Sequence, residues 1–577
     1  MSTRVILERD VPCTLRDGTI LMADAYRPDD NDRHPVLLQR TPYDKTFWPF
    51  TWAPFDPTKM AAAGYVVIIQ DVRGRFMSGG TYDPYADEDV DGYDAVQWAA
   101  SLESSNGRVG TYGISYMGGV QWLTASLRPP GLGAIATITS PNDAVENHYV
   151  RGGALQLGLV ASWALASVAP NAVVREFMAD PARVKQEIAG VIDDIDAIDE
   201  WLRRVPLVPF PPLENRGETL AKFFNDRVST ETREPRHDAI SSSHRHGDIS
   251  VPALQIAGWY DVLLQADLEH FAAMRSECGS EDARRLSRLI VGPWAHASFA
   301  PMVGEVDFGF RSAATLLDLK EDFTSLHRRW FDARLRGIDS GIDAEAPVKL
   351  FVMGRNRWRD EDAWPLSRAR EQRWHVHDSG SLSPVPPADS VPSVFTLDPD
   401  DPVPTRGGNI LMTLRHIRGP REQSPIERRD DVLVFTSDPI TKELEVTGPV
   451  RFVCWIAAET VDTDVVARLC DVYPDGRSYN VVDGIRRLRF RESLREPKPL
   501  TPGEVVRVEV DMWATSHVFI PGHRLRLQVC ASDFPRYDRC PGNGETSATA
   551  KQILPQRNKL FHDPHRPSHI VLPVVEG

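Results

Sequence analysis

The sequence predicts an α/β domain broken by a helical insertion and followed by an all-β domain. Three patterns predict it. Short apolar runs alternate with helical stretches up to Ser140 and again after Ile249, a strand-free interval separates the two, and evenly spaced short strands run from Ala346 onward. The chain has 577 residues, and at roughly 100–200 residues per domain that is too long for one hydrophobic core.

The first zone reads HPVLLQRTPYD, GYVVIIQDVRG, DVDGYDAVQWAASL and GRVGTYGISYMGG. Within it, Pro35 to Gln39 and Tyr65 to Asp71 are continuously apolar and rich in branched residues, as strands buried on both faces are. Strands alternating with helices specify a mostly parallel sheet covered on both sides. From Asn142 to Asp248 the strand signal gives way to ALQLGLVASWALASV and DPARVKQEIAGVIDDIDAIDEWLRRV, both helix-compatible, and then to the proline-rich VPLVPFPPLEN. The α/β rhythm resumes with VPALQIAGWYD and RLSRLIVGPWAH, two apolar runs that each end at polar residues.

In the last zone VKLFVMG, VLVFTSD, VRFVCWIAA, VVRVEVDMW, HRLRLQVCASD and SHIVLPVV alternate between glycine and proline turns, the pattern of a β-sandwich or jelly roll. The Pro-, Ser- and Asp-rich SLSPVPPADSVPSVFTLDPDDPVPTRGG among them reads as surface loops. The expected boundaries are 1–141 with 249–345 for a discontinuous α/β domain, 142–248 for a helical cap and 346–577 for the β domain.

Composition narrows the function. Apolar residues make up 42% and charged residues 25%, enough to fill several cores. The net charge of −15 with no long basic run gives a nucleic acid no electrostatic footprint. Six cysteines without CxxC pairs read as small buried hydrophobes, so neither a metal site nor a disulfide framework is implied. The start, MSTRVILERDVPCTLRDG, lacks the apolar core of a secretory signal. No stretch is expected to reach the roughly 18 apolar residues of a membrane span. A cytoplasmic location with no membrane partner is the resulting expectation, and a homodimer is left open.

A hydroxyl nucleophile needs a geometry that pushes Oγ out of the fold and a base to take its proton. GRVGTYGISYMGG offers the first, with a strand at Val109 to Tyr112, a sharp turn at Gly113 to Tyr116 and a helix from Met117. Ser115 then sits at a nucleophile elbow of the α/β-hydrolase type. The match to G-x-S-x-G is incomplete, since Met117 holds the second glycine position and Gly118 follows, and the motif alone leaves Ser115 open to being a helix N-cap. Chain order favours the elbow. In that fold the acid and then the histidine follow the serine, each after a strand, and here Asp261 follows LQIAGWY and His296 follows LIVGPWA.

Asp261 would fix the tautomer of His296, whose other ring nitrogen would take the proton of Ser115. An oxyanion hole needs two donors: the amide after the nucleophile, of Tyr116, and one from an earlier loop, where the phenol of Tyr43 either donates or packs beside Pro42. Arg73 and Arg75, at another strand end, are expected to form structural salt bridges and not to touch substrate.

These segments together closely resemble the bacterial cocaine esterases and their relatives, the α-amino acid ester hydrolases and X-prolyl dipeptidyl aminopeptidases. The resemblance runs nearly the whole chain, through RTPYDK, YVVIIQDVRGRFMSGG, GTYGISYMGG, AGWYD, VGPWAH, LFVMGRNRWRDEDAWP, RDDVLVFTSDPI, VDTDVVARLCDVYPDGRS, VFIPGHRLRLQV and SHIVLPVV. It implies an α/β-hydrolase core, an inserted helical cap and a C-terminal jelly roll. It also implies Ser115 as nucleophile, Asp261 as acid, His296 as base, and Tyr43 with the Tyr116 amide as oxyanion donors.

The amino acid ester hydrolases hold the substrate ammonium with carboxylates placed partly just after the catalytic aspartate. Here Val262, Leu263, Leu264 and Gln265 follow Asp261, so an α-amine would be buried without its partner. By similarity with the cocaine esterases, Trp163, Leu263, Leu411 and Met412 line an apolar acyl pocket, interdomain packing being their other reading. His148 stands where those enzymes have a pocket tryptophan, which argues against cocaine as substrate.

The expected activity is cofactor-free hydrolysis of a small aromatic or aliphatic acyl ester through an acyl-enzyme. An X-prolyl aminopeptidase or an amino acid ester hydrolase acting on β-lactams is the enzymatic alternative. A different class of reading makes the jelly roll a carbohydrate- or partner-binding module on an inactive scaffold, and the intact set of Ser115, Asp261, His296 and oxyanion donors speaks against it.

Overall fold

The computed structural model describes residues 4–576 apart from 215, 231 and 414. Three residues of the N-terminal segment and Asn215, which ends the proline-rich stretch, therefore lie outside the description. The first domain is built on a ten-stranded sheet in the order Val5–Thr14, Ile20–Pro28, Val66–Asp71, His34–Thr41, Ser105–Ile114, Leu132–Ile138, Ala253–Tyr260, Arg288–Ala295, Val348–Val352 and Arg357–Glu361. From Val66–Asp71 to Val348–Val352 every neighbouring pair is parallel, and the strands at both ends are antiparallel.

The alternation of side chains divides the apolar runs between two cores. Leu37, Val67, Tyr112 and Ile114 face the helix Phe323–Phe331, while Val36, Leu38, Val66 and Ile68 face Ala95, Val96 and Ala99 of the helix Glu88–Ser101. Burial on both faces explains why these strands read as unbroken hydrophobic runs. At the sheet's first edge, Val5–Thr14 exposes most of its residues.

VKLFVMG departs from expectation. It was grouped with the third zone, yet Val348–Val352 pairs in parallel with Arg288–Ala295 and belongs to the first sheet. A short apolar run carries no mark of which sheet it joins; the partner is decided by Leu289 opposite Val348 and Val291 opposite Leu350.

Between Leu132–Ile138 and Ala253–Tyr260 the chain leaves the sheet to form the cap. Leu157–Glu176 is a continuous helix with a π turn at Ala164–Val168, followed by Pro181–Asp196, Ile198–Leu202 and Glu218–Ser229. Pro181 opens its helix behind Asp180, whose carboxylate accepts the Arg183 amide, so both rules of helix initiation are met there. At 20 residues and a mean hydropathy of 1.6, Leu157–Glu176 is long and apolar enough to cross a membrane, contrary to the expectation that no stretch is. In this fold 67% of its most apolar window is buried, with Val160, Leu165 and Val173 in the cap's own core.

A short hairpin at the start of the cap, Val150–Arg151 with Ala154–Leu155, is fastened to the C-terminal domain. Arg487 N–H donates to Gly152 O at 2.8 Å, Leu155 N–H to Asp538 Oδ1 at 2.8 Å, and the Arg151 guanidinium to Asp483 at 3.1 Å.

The C-terminal domain packs an eight-stranded sheet against a four-stranded one, all pairs antiparallel, in the jelly-roll arrangement. Phe452, Ile456 and Ile570 of one sheet meet Val465, Leu469 and Leu527 of the other in a single core. All six cysteines are buried and free.

Candidate active site

Ser115 joins the strand Ser105–Ile114 to the helix Tyr116–Ser126 with φ 60° and ψ −123°. A non-glycine residue is held at positive φ only where its surroundings impose it. Here the flanking residues leave room for the bend: a Cβ on Gly113 would lie 2.5 Å from Met117 Cβ, and one on Gly118 would lie 2.7 Å from Ser140 Cβ. Although Ser115 occupies the N-cap position, its side chain makes no capping bond. The hydroxyl instead points to His296 Nε2, 3.0 Å away.

Asp261 and His296 emerge just after adjacent parallel strands, Ala253–Tyr260 and Arg288–Ala295, paired through Ala295 and Tyr260. Asp261 lies 3.0 Å (Oδ2) and 3.1 Å (Oδ1) from His296 Nδ1. Asp261 is fully buried and His296 nearly so. The Leu263 amide donates to Asp261 Oδ1 at 2.8 Å, which fixes the carboxylate plane. Residues from three separate strand ends thus form one hydrogen-bonded line, able to carry a proton from a hydroxyl onto an imidazole whose second nitrogen is held by a carboxylate.

Tyr43 lies beside Ser115 in the same cavity. Its oxygen accepts the indole N–H of Trp163 at 3.0 Å, so its own proton is free for another acceptor. Burial pushes this phenol up to about 12, which keeps it a donor at any ordinary pH. Tyr116 contributes differently. Its phenol is tied away from the site, donating to Glu88 at 2.8 Å and accepting from the Tyr85 amide at 3.0 Å. That leaves its main-chain N–H, one of the amides that a helix's first turn cannot satisfy internally.

The cavity at Ser115 is small and opens in part to solvent. Of the expected lining, Trp163, Leu263, Leu411 and His148 border it, joined by Leu159, Val160 and Val262. Met412 does not border it. Its thioether packs where a side chain on Gly158 of the cap helix would stand. Arg73 forms the expected salt bridges, to Asp91 at 2.7 Å and Asp17 at 2.8 Å. Arg75 forms none among the described residues: it donates to three main-chain oxygens, of Pro42 (2.9 Å), Val168 (3.1 Å) and Ser167 (2.8 Å), and so ties the Tyr43 loop to the cap.

Residues 17–298 match the X-Pro dipeptidyl-peptidase (S15 family) model, and residues 340–571 match that of the X-Pro dipeptidyl-peptidase C-terminal non-catalytic domain. The cocaine esterase of Rhodococcus sp. (strain MB1 Bresler) is 34% identical over 587 aligned residues, which cover 98% of each chain. The chain belongs to the cocaine esterase and X-Pro dipeptidyl-peptidase family. Solved structures with the same fold include an aminopeptidase from the marine sediment archaeon Thaumarchaeota archaeon (TM-score 0.80, 21% identity, 100% of this chain and 97% of that one). An α-amino acid ester hydrolase has a TM-score of 0.79 at 23% identity over 99% of this chain and 97% of its own.

Family membership makes this chain a serine hydrolase, and two residues that sequence reasoning missed lie in its C-terminal domain. Asn409 donates from Nδ2 to the main-chain oxygens of Trp259 (2.9 Å) and Asp261 (2.8 Å). Arg418 donates to the main-chain oxygen of His296. Both sit on one loop, closed by mutual Gly408–Gly419 hydrogen bonds, from which Leu411 reaches the cavity. A domain described for the family as non-catalytic therefore contacts the backbone of both Asp261 and His296. Only the segment TRGGNI hinted at an ordered turn, and nothing in it named the partner.

Proposed function

We propose that this protein is a carboxylic ester hydrolase acting on neutral acyl esters through an acyl-enzyme. The observation that carries the reading is the line from Ser115 Oγ through His296 to Asp261, at 3.0 Å and 3.0 Å. In this reading Ser115 attacks the ester carbonyl as His296 Nε2 takes its proton, and the imidazolium that forms is stabilised by Asp261. The Tyr43 O–H and the Tyr116 N–H receive the charge that develops on the carbonyl oxygen. His296 then protonates the departing alcohol, and a water activated by the same nitrogen releases the acid. Trp163, Leu263 and Leu411 surround the acyl group.

Ester preference is supported by the kinship with a cocaine esterase and by the residues after Asp261, where no acid stands to pair an α-ammonium group. The test is initial-rate hydrolysis of p-nitrophenyl esters from acetate to octanoate, with benzoate and phenylacetate, by wild type and Ser115→Ala. Phenylglycine methyl ester and Ala-Pro-p-nitroanilide run alongside. Turnover of the neutral esters that vanishes in Ser115→Ala upholds the reading; turnover of the α-amino substrates alone replaces it with the aminopeptidase or amino ester branch.

A further inference from the structure

The cavity at Ser115 is bordered mainly by hydrocarbon, and most of its polar atoms are already engaged. Trp163 Nε1 is spent on Tyr43, Ser115 Oγ on His296, and the phenol oxygen of Tyr149 is fully buried beside Arg227. Two side chains remain. The imidazole of His148 and the phenol of Tyr85 both border the cavity, and neither makes a side-chain hydrogen bond to the protein among the described residues. Their rings are held in place. His148 stacks on Tyr149 at 4.0 Å and meets Tyr85 edge-on at 5.7 Å, and Tyr85 stacks on Tyr116 at 4.2 Å.

Both groups are neutral. Burial, reinforced by the nearby Arg227 guanidinium, pushes the His148 imidazole down to about 3, and burial holds the Tyr85 phenol well above its usual range. A neutral imidazole offers one donor and one acceptor, and a phenol offers the same. An all-hydrocarbon acyl chain would displace water from both and replace none of their hydrogen bonds, leaving each group unpaired. A cation would find no carboxylate in the lining, and a carboxylate would find no cation there.

We propose, resting on the esterase reading above, that His148 and Tyr85 form a polar subsite selecting acyl groups with an uncharged oxygen function, such as an ether, ketone or hydroxyl, beyond the ester carbonyl. This part of the pocket wall is thereby a recognition element and not apolar filling. A site built to hydrogen-bond its substrate rejects the analogue lacking the bonding atom more strongly than an apolar site rejects a missing methylene.

The test uses pairs of p-nitrophenyl esters of equal chain length, one all-carbon and one with a single ether oxygen walked outward from beyond the α-carbon. Each rate is divided by that ester's own rate of alkaline hydrolysis. For wild type, kcat/KM is expected to favour the ether by about tenfold at one position of the oxygen, and this ratio to fall to about one or below in His148→Phe and at least severalfold in Tyr85→Phe. Because each ratio is taken on a single preparation, a loss of folded enzyme cancels. A hydrocarbon preference at every position overturns the subsite, as does an ether preference that survives both substitutions. So does faster turnover of amine- or carboxylate-bearing analogues. Absence of turnover on every neutral ester is a different result, the failure of the esterase reading itself.

Discussion

Asn409 holds the main chain of Asp261 from another domain, with its amide 2.8 Å from the Asp261 oxygen and 2.9 Å from that of Trp259. Asn409→Ala removes one donor from each of two buried carbonyls, leaving that of Asp261 only the Leu264 amide at 3.2 Å, and loosens the turn that aims the carboxylate at His296. A misplacement of about 1 Å can cost on the order of a hundredfold, so kcat is expected to fall about 10- to 100-fold with KM for a short ester nearly unchanged. Rates are to be referred to active sites titrated with an organophosphate. A purely structural role would lower the thermal midpoint and leave the titrated kcat intact.

Tyr43→Phe tests the oxyanion donor. The ring would keep its stacking on Phe50, 5.0 Å away, and lose only the hydroxyl. Loss of one such donor costs about 10²–10³ in kcat, and the binding of the ester should change little. Equal loss on kcat and kcat/KM is the expected signature; a rise in KM alone would return Tyr43 to a packing role.

Asp261→Asn keeps the shape of the site and removes the charge that selects the His296 tautomer. By analogy with other serine hydrolases kcat is expected to drop about 10⁴-fold. Stopped-flow release of p-nitrophenol should show acylation slowed. A variant within about tenfold of wild type would mean that another carboxylate supports the histidine.

Asp71 is fully buried at the end of its strand, and burial raises its carboxyl from 3.8 to about 7 although the Lys45 amide donates to it at 2.7 Å. Between those values the folded state binds more protons than the unfolded, so the contribution of Asp71 is present below the lower value and is lost as pH rises through the upper. Asn at this position can accept the same amide and does not ionise. The difference in thermal midpoint, Asp71→Asn minus wild type, should therefore grow in the variant's favour from about pH 4 to about pH 8. A difference independent of pH would refute the assignment.

The strands leading to Asp261 and His296 were legible because burial on both faces writes an apolar run that stops where a polar residue must emerge. The helical character of the cap and the alternation of the β domain were legible because each follows from local period, whereas the elbow reading of Ser115 rests on its flanking glycines and on chain order. What period cannot carry is the identity of a partner across space. Val348–Val352 joins the first sheet and not the third-zone strands, and Arg75 meets main-chain oxygens where carboxylates are expected. Asn409 and Arg418 stayed invisible because a side chain bonded to a distant carbonyl leaves no trace in its neighbours.

The hairpin at residues 150–155 bears on how substrates are admitted. It is bonded to the C-terminal domain at its turn through Gly152 and on its strands through Arg151 and Leu155, and it begins two residues beyond His148 in the cavity wall. A cap tethered here is expected to behave as a fixed collar and not as a hinged lid. Admission is then decided at the rim, by the girth that passes, with no closing movement whose energy a bulky molecule could repay through added contacts. Tolerance of size should therefore end abruptly at a threshold of acyl width, where a jointed lid would let activity fade by degrees.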